Sequence, residues 1–281
     1  MTLLIVTLAV LPALLCIFLF AVMPRTTHQE QCRQFEQLSF AHRGLFNMEA
    51  KIPENSMAAF RRAVELGFPI ELDVQLTKDK QAVIFHDDSL KRMCGIDELL
   101  CNKTYDELCQ LSLQDTQERI PLFSDVLNMV DGRVPLLVEL KTIGKNTMVS
   151  VVANELLRRY KGPFCIEAFS PFVLRWFKEH HPDIIRGQLS EHFRRPSPHP
   201  GLLLFMAENL LFNWYSKPDF ISYSYHYAKK CFSLKIIKYL FNAPIFAWTI
   251  RSAEAYRQCQ KQFDSIIFDS FMPMNAKDKG R

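Results

Sequence analysis

The sequence predicts an α/β fold, a closed (β/α)8 barrel with an insertion after His86, preceded by one N-terminal transmembrane helix. Short apolar runs rich in β-branched and aromatic residues alternate with longer helical patterns, as in a parallel barrel. The chain of 281 residues is 48% hydrophobic and 23% charged, which is typical of a globular domain and excludes a disordered or collagen-like chain. The N-terminal segment departs from this usage because it lacks charge.

Residues 2–23 form an uncharged, largely apolar stretch that is long enough to cross a hydrocarbon core of roughly 30 Å. No Lys or Arg precedes it and Ala21-Val22-Met23 is a poor cleavage site, so an uncleaved anchor is favoured over a signal peptide. We therefore expect a transmembrane anchor over 2–23, a connector over 24–37 and a barrel domain over 38–281.

The charges and cysteines bear on location and partners. Arg25 and Arg33 follow the apolar stretch, so the positive-inside rule places the barrel in the cytoplasm. The net charge is +4 without a dense Lys/Arg stripe, so we expect contact with membrane lipid rather than nucleic acid, and no obligate protein partner is inferred. The eight cysteines form no CxxC pair, which argues against structural zinc and for reduced thiols.

Nine runs are candidate strands, one more than the barrel requires. They are 38–42, 70–76, 82–86, 134–141, 164–169, 184–189, 220–223, 245–250 and 265–269. The gap between the second and third runs is too short for a crossover helix, so we expect these two to form a hairpin.

Three other segments carry helical patterns. A helix is expected to begin after Asn55-Ser56, a plausible cap, and to end at Gly67. The long stretch between His86 and the fourth strand has helical patterns at 96–111 and 122–130, and we expect it to lie over the barrel mouth.

The strongly apolar residues 201–215 follow a Pro-rich linker at 194–200. At about 1.5 Å per residue, this segment is too short for a comfortable membrane span. We expect either a buried or lid helix, or a helix that lies in the membrane interface.

Pairs of charged side chains occur within two of the apolar strands. Glu71 and Asp73 are two residues apart and project from one face, where two carboxylates repel each other unless a cation lies between them. Carboxylate oxygens suit one divalent cation, Mg²⁺ or Ca²⁺. Glu139 and Lys141 show the same spacing in another strand, and a charged pair in a buried strand requires an explanation.

Two histidines also stand at strand ends. His42 is followed by Arg43, and His86 by Asp87. Each motif by itself is a common surface feature. Together with the carboxylates, they place acid-base, metal-binding and phosphate-binding groups where barrel enzymes carry their active sites.

These motifs resemble those of the glycerophosphodiester phosphodiesterase family. The match comprises AHRG at 41–44, PENS at 53–56, ELDVQLTKD at 71–79, VIFHDDSL at 83–90, VELK at 138–141, AWTI at 247–250 and DSIIFDS at 264–270, in the family's order. The resemblance implies a TIM barrel, a divalent cation held by Glu71, Asp73 and Glu139, and a catalytic pair, His42 and His86. It also implies that Arg43 and Lys141 contact the substrate phosphate and that Trp248 lines the pocket.

Two elements depart from the family pattern. Glu167-Ala168-Phe169-Ser170 replaces the usual polar pair of the middle barrel, and Phe268-Asp269 replaces the usual Thr-Asp of the last strand. Both departures concern the substrate pocket rather than the reaction.

The resemblance implies metal-dependent hydrolysis of glycerophosphodiesters to glycerol 3-phosphate and an alcohol. Imidazole titrates near neutral pH and can exchange protons with the nucleophile and the leaving group, and by family analogy His42 is assigned as base and His86 as acid. One alternative is a lysophospholipase D that releases lysophosphatidic acid-type products from lysophospholipids, suggested by the anchor and residues 201–215. A catalytically inactive membrane binding module is the other.

Overall fold

The protein is described by a computed structural model over residues 2–193 and 201–273, with side chains from residue 10 onward. Its strands are β1 (Ser39–Ala41), β2 (Ile70–Leu76), β3 (Ala82–Ile84), β4 (Leu136–Leu140), β5 (Phe164–Ala168), β6 (Arg186–Ser190), β7 (Phe220–Ser224), β8 (Ile245–Ile250) and β9 (Ser265–Phe268). The predicted linker at 194–200 lies outside the described residues.

The α-helices are α1 (Thr2–Val22), α2 (Gln29–Cys32), α3 (Met57–Leu66), α4 (Lys91–Cys94), α5 (Tyr105–Leu108), α6 (Phe123–Val130), α7 (Met148–Leu157), α8 (Pro171–His180), α9 (Leu202–Glu208), α10 (Asn213–Ser216), α11 (Tyr225–Ala228), α12 (Phe232–Phe241) and α13 (Ala253–Cys259). Two 3-10 turns, Arg33–Phe35 and Leu100–Asn102, join them.

The sheet closes on itself because β1 pairs in parallel with both β2 and β9. Around the barrel the order is β1, β9, β8, β7, β6, β5, β4 and β2, all pairing in parallel, while β3 pairs antiparallel to β2. The predicted (β/α)8 barrel and its hairpin are therefore confirmed. Parallel strands covered by helices are buried on both faces, which explains their nearly continuous apolar runs.

The predicted helix after residue 56 is confirmed as α3. Ser56 is its cap, since its Oγ accepts a hydrogen bond from the backbone N–H of Ala59 at 3.1 Å. Gly67 ends the helix with a left-handed φ of 73°. Asn55, the other half of the predicted cap, instead donates its side-chain amide to Asp73 of β2.

The pattern at 96–111 does not form one helix. Gly95, with φ 73°, ends α4, and a separate capping box at Thr104 begins the short α5. The apolar residues of this insertion instead fill a local core with β3 that includes Phe85, Met93 and Leu108. The predicted helix over 96–111 is therefore wrong, because these apolar residues pack from short turns and irregular chain.

Residues 201–215 also form two short helices rather than the predicted single one. Leu210 has a left-handed φ of 59° and separates α9 from α10. Leu210 and Asn213 are buried, whereas Leu202 and Leu203 at the start of α9 are exposed.

The N-terminal apolar segment folds as α1, and its end packs on the barrel through the buried Val22. Across residues 2–193 and 201–273, no helix is both long and apolar enough to cross a membrane, so the transmembrane anchor predicted over 2–23 lacks support. Each of the eight cysteines is a free thiol in the structure.

Candidate active site

Three carboxylates meet inside the barrel, two from the first half of β2 and one near the carboxyl end of β4. Asp73 lies directly opposite Glu139 in the β2–β4 register, and Glu71 precedes Asp73 on the same face. One ligand oxygen from each lies within 4.8 Å of the others, and all three residues are buried. This grouping confirms that the spacing in the two strands brings the predicted acidic side chains together.

The three buried carboxylates carry more negative charge than the nearby side chains of the protein neutralise. Burial, together with the charges of Asp73 and Glu139, raises the pKa of Glu71 well above its usual range. Burial raises the pKa of Glu139 to about 7, although Lys141 acts against it. Burial also opposes ionisation of Asp73, but Lys141, His86 and Arg43 hold its pKa below the usual value. A divalent cation would supply the missing positive charge, so the donor set fits Mg²⁺ or Ca²⁺.

Lys141, directly after β4, contacts two of the three carboxylates. Its Nζ donates to Glu139 Oε1 at 2.7 Å and lies 3.2 Å from Asp73 Oδ1. Burial lowers the pKa of Lys141, but these two carboxylates outweigh burial and keep it above the usual value. Lys141, which the family resemblance assigns to the substrate phosphate, therefore lies beside the carboxylates and carries a positive charge.

Arg43 lies in the tight turn after β1. Its backbone N–H donates to Glu71 Oε2 at 2.8 Å, and its guanidinium contacts Glu54 at 2.7 Å and Asp73 at 3.6 Å. The turn continues with Gly44 at φ 78°, where a Cβ atom would lie 2.9 Å from the Ala59 side chain. The AHRG motif thus shapes a backbone that reaches the carboxylates.

His42 precedes this turn and is held by a residue from the far end of the chain. Its Nδ1 lies 2.8 Å from Asp269 Oδ2, and Asp269 also accepts hydrogen bonds from Arg251 and Ser270. Burial lowers the pKa of His42, and the hydrogen bond to Asp269 partly offsets this effect. Burial opposes ionisation of Asp269, but its partners lower its pKa to about 2. The carboxylate is therefore ionised and fixes the imidazole.

His86 has a similar partner. Its Nδ1 lies 2.6 Å from Asp87 Oδ1, and Arg92 of the insertion binds both Asp87 and Glu54 at 2.6–2.7 Å. Gln75, buried in β2, donates to the carbonyls of His86 and Asp87 at 3.1 and 2.9 Å. Burial lowers the pKa of His86. The insertion therefore lies at the barrel mouth, as predicted, and supports the second histidine.

Trp248 stands apart from this network. It lies in β8, and its ring packs edge-on against Phe169 with centroids 5.8 Å apart. Its indole Nε1 is buried, and no described residue accepts a hydrogen bond from it. Phe169 in turn contacts Phe193, with ring centroids 6.0 Å apart. We call these three residues, Phe169, Phe193 and Trp248, the aromatic wall.

Three site residues escaped the sequence analysis. Asp269 was noted only as a departure from the family pattern, and Asn55 only as a cap, although its Nδ2 donates to Asp73 Oδ2 at 2.8 Å. Arg92 had no sequence signal. Glu167 adds a fourth buried carboxyl opposite Glu139, and burial raises its pKa well above the usual range.

Comparison with known proteins agrees with this arrangement. The profile of the glycerophosphoryl diester phosphodiesterase family matches residues 42–272. The chain belongs to this family. The matched span runs from His42 to beyond Asp269, so it contains the whole phosphodiesterase-type site described above.

Individual relatives extend the comparison. Lysophospholipase D GDPD1 of Rattus norvegicus is 32% identical over 157 residues, which cover 51% of this chain and 48% of that protein. The chain thus aligns with about half the length of that relative. The putative glycerophosphodiester phosphodiesterase YhdW of Bacillus subtilis is 28% identical over 82% of this chain and 93% of its own.

A solved structure supports the fold. The Oleispira antarctica phosphodiesterase, in complex with its product sn-glycerol-3-phosphate, superposes with a TM-score of 0.66. The two proteins are 24% identical, and the match covers 84% of this chain and 94% of the other. This likeness shows a shared TIM barrel.

Proposed function

We propose that the chain hydrolyses glycerophosphodiesters to glycerol 3-phosphate and an alcohol, with one divalent cation and two histidines. One observation carries the proposal: two histidines, each hydrogen-bonded to an aspartate, stand at the same barrel end as three clustered carboxylates. Acid-base groups and a hard-cation site are the two components that phosphodiester hydrolysis requires.

Glu71, Asp73 and Glu139 would hold the cation. When bound, it supplies positive charge that neutralises the anionic phosphate and its transition state. Mg²⁺ and Ca²⁺ both suit an all-carboxylate donor set. Arg43 and Lys141 add two cations at the edge of the cluster, and we assign to them the binding of phosphate oxygens.

The histidine geometry supports proton transfer at defined atoms. Because an aspartate engages Nδ1 of both His42 and His86, the Nε2 atom of each ring remains for the substrate. We assign His42 as the base that takes a proton from the attacking water as the water oxygen bonds to phosphorus. The acid role requires His86 to be protonated, and it would give its Nε2 proton to the leaving alkoxide as the P–O bond to the alcohol breaks.

A second substrate class is lysophospholipids, cut in the manner of a lysophospholipase D. The aromatic wall formed by Phe169, Phe193 and Trp248 favours it, because a glycerophosphodiester without an acyl chain has little apolar surface to place there. The rat relative bears this activity in its name. Phe169 is 36% exposed, so the wall is open to a ligand.

The test is turnover of glycerophosphocholine, glycerophosphoethanolamine, glycerophosphoglycerol and lysophospholipids with Mg²⁺ or Ca²⁺. We expect chelation to abolish turnover and His42→Ala or His86→Ala to lower kcat by about 10²-fold or more. His180→Ala is the matched control, because His180 is exposed at the end of α8, where it contacts Trp176 through the Trp176 carbonyl and ring. A folded protein that binds lipid without any turnover would instead support the inactive binding module.

A further inference from the structure

Exposed apolar side chains from three elements form a surface that we call the apolar rim. It comprises Leu11, Leu14 and Ile17 of α1, Leu202 and Leu203 of α9, and Phe232 at the start of α12, all 56–72% exposed. Isolated exposed apolar side chains are ordinary, but a connected group of this size marks an interaction surface.

Two contacts connect the three elements. The ring of Phe18 in α1 stacks on Phe232 with centroids 6.2 Å apart. Cys231, which immediately precedes Phe232 and caps α12, donates its thiol hydrogen to the carbonyl of Glu208 at the end of α9, at 3.7 Å. The three elements that carry the rim therefore adjoin one another.

The rim lies at the catalytic end of the barrel. α9 follows β6, and α12 follows β7 after the short α11, so both begin near the carboxyl ends of the strands. Phe18 touches Phe232 at this end, whereas Arg25, seven residues later, pairs with Asp219 just before β7. α1 therefore runs towards the opposite end, and its residues before Phe18 lie on the catalytic side, rising about 1.5 Å per residue.

The exposed residues of α1 do not share one face. Leu15 and Ile17 are separated by about 200° around an ideal helix, yet they are 56% and 64% exposed. A groove on a partner protein covers one face of a helix, whereas a lipid phase contacts all of them. This distribution favours lipid as the occupant.

The charges beside the rim identify the lipid class. Residues 1–29 contain no Asp or Glu. Residues 220–253 contain four lysines and one arginine without any acid, although Lys238 and Arg251 pair with Asp264 and Asp269. Lys229 and Lys230, both exposed, lie three and two residues before the rim residue Phe232. Lysines next to an apolar surface are attracted to anionic headgroups.

We propose that the apolar rim docks the catalytic end of the barrel on an anionic lipid bilayer, so that lysophospholipids enter the site directly from the membrane. Phe193 connects the two regions, since its backbone N–H donates to Glu208 at 2.9 Å while its ring contacts Phe169 of the aromatic wall. The choice of substrate rests on the proposed function, whereas the docking itself does not.

Flotation of the full chain with vesicles of phosphatidylcholine alone, or mixed equally with phosphatidylglycerol, tests the docking. We expect at least tenfold stronger binding to the mixed vesicles. The double variant Leu203→Glu with Phe232→Glu should lose at least tenfold in binding. Tyr239→Glu is the matched control, because Tyr239 is 81% exposed on the same helix but two turns towards the other end of the barrel, and it should bind within twofold of wild type.

Activity separates this inference from the proposed function. The double variant should keep kcat/KM on glycerophosphocholine within twofold and lose at least tenfold on lysophosphatidylcholine presented in anionic vesicles. A chain that hydrolyses glycerophosphocholine but does not float, or a double variant that floats like wild type, overturns the docking and leaves the phosphodiesterase intact. A chain that floats with the expected preference but cuts no phosphodiester overturns the proposed function and leaves the docking intact.

Discussion

Asp269 contributes to the site through His42, because it fixes the imidazole and favours its charged form. Asp269→Asn should lower kcat by about 10²-fold or more, as expected when the orienting carboxylate of a catalytic histidine is lost. The variant should also lower the pKa of His42 further. If His42 is the base, the acidic limb of the pH-rate profile shifts to lower pH.

The pH-rate profile of this variant decides the assignment of the two histidines. A shift of the alkaline limb instead would make His42 the acid. Asp97→Asn is the control, since the Asp97 side chain is 80% exposed and pairs only with Lys91. Unchanged limbs and turnover would contradict a positioning role for Asp269.

Glu139 gives the metal-free protein a pH-dependent stability. An acid whose pKa is higher in the folded state contributes stability at low pH that is lost as pH rises, here between its usual value near 4.5 and about 7. With a chelator present, the free energy of unfolding of Glu139→Gln, measured in urea, should therefore rise by about 2 kcal/mol relative to that of the wild type as the pH increases from 5 to 8. Glu179→Gln, on the exposed surface of α8, is the control, and its free energy of unfolding should depend on pH in the same way as that of the wild type.

The variant also reports on the metal. Adding Mg²⁺ or Ca²⁺ at pH 8 should raise the Tm of the wild type and not that of Glu139→Gln, because binding to the folded state alone stabilises it. Equal increases in the two proteins would place the cation elsewhere.

At the scale of elements, the insertion between β3 and β4 acts on the site through Arg92. This guanidinium joins Asp87, which orients His86, to Glu54, which holds Arg43. Arg92→Ala should lower kcat by about tenfold, because His86 and Arg43 would lose part of their support and shift from their positions. The free energy of unfolding should change by under about 1 kcal/mol, because the arginine is exposed on one side.

Lys91→Ala is the matched control for this element. Lys91 is the neighbouring residue of α4, its side chain is 68% exposed, and it pairs with Asp97 away from the site. Arg92→Lys should restore little activity, since an ammonium cannot reproduce the two-sided contacts of a guanidinium. Wild-type kcat in Arg92→Ala would mean that the insertion only covers the barrel.

At the scale of the whole molecule, Arg25 ties the N-terminal segment to the barrel. Its guanidinium donates to both carboxylate oxygens of Asp219 at 2.5 and 2.6 Å and to the carbonyl of Pro182. Asp219 is buried, so Arg25→Ala leaves a desolvated charge and should cost about 3 kcal/mol in urea unfolding.

Arg33→Ala is the surface comparison for Arg25. The Arg33 side chain is 68% exposed and lies 4.0 Å from Glu30, so its loss should change the free energy of unfolding by under about 0.5 kcal/mol. Equal effects of the two variants would contradict a tie between Arg25 and the barrel.

The barrel itself was predictable because its strands are buried on both faces and read as apolar runs separated by helices. The prediction of one continuous helix over 96–111 and another over 201–215 was wrong, because apolar periodicity does not reveal a break in the backbone. Within 96–111 the extended Lys103, with ψ 144°, separates the 3-10 turn Leu100–Asn102 from α5. Within 201–215 Leu210 takes a left-handed conformation that no residue type signals.

The sequence by itself determined the barrel, its hairpin, and the common face of Glu71 and Asp73, because strand periodicity and spacing are local properties. The tertiary structure decided that Asp269, 227 positions from His42, orients that histidine, and that Asn55 and Arg92 face the site. It also decided that α1, α9 and α12 each expose apolar side chains and that α1 contacts α12. Such contacts join residues far apart in the chain, and only closure of the sheet, β1 against both β2 and β9, brings them together.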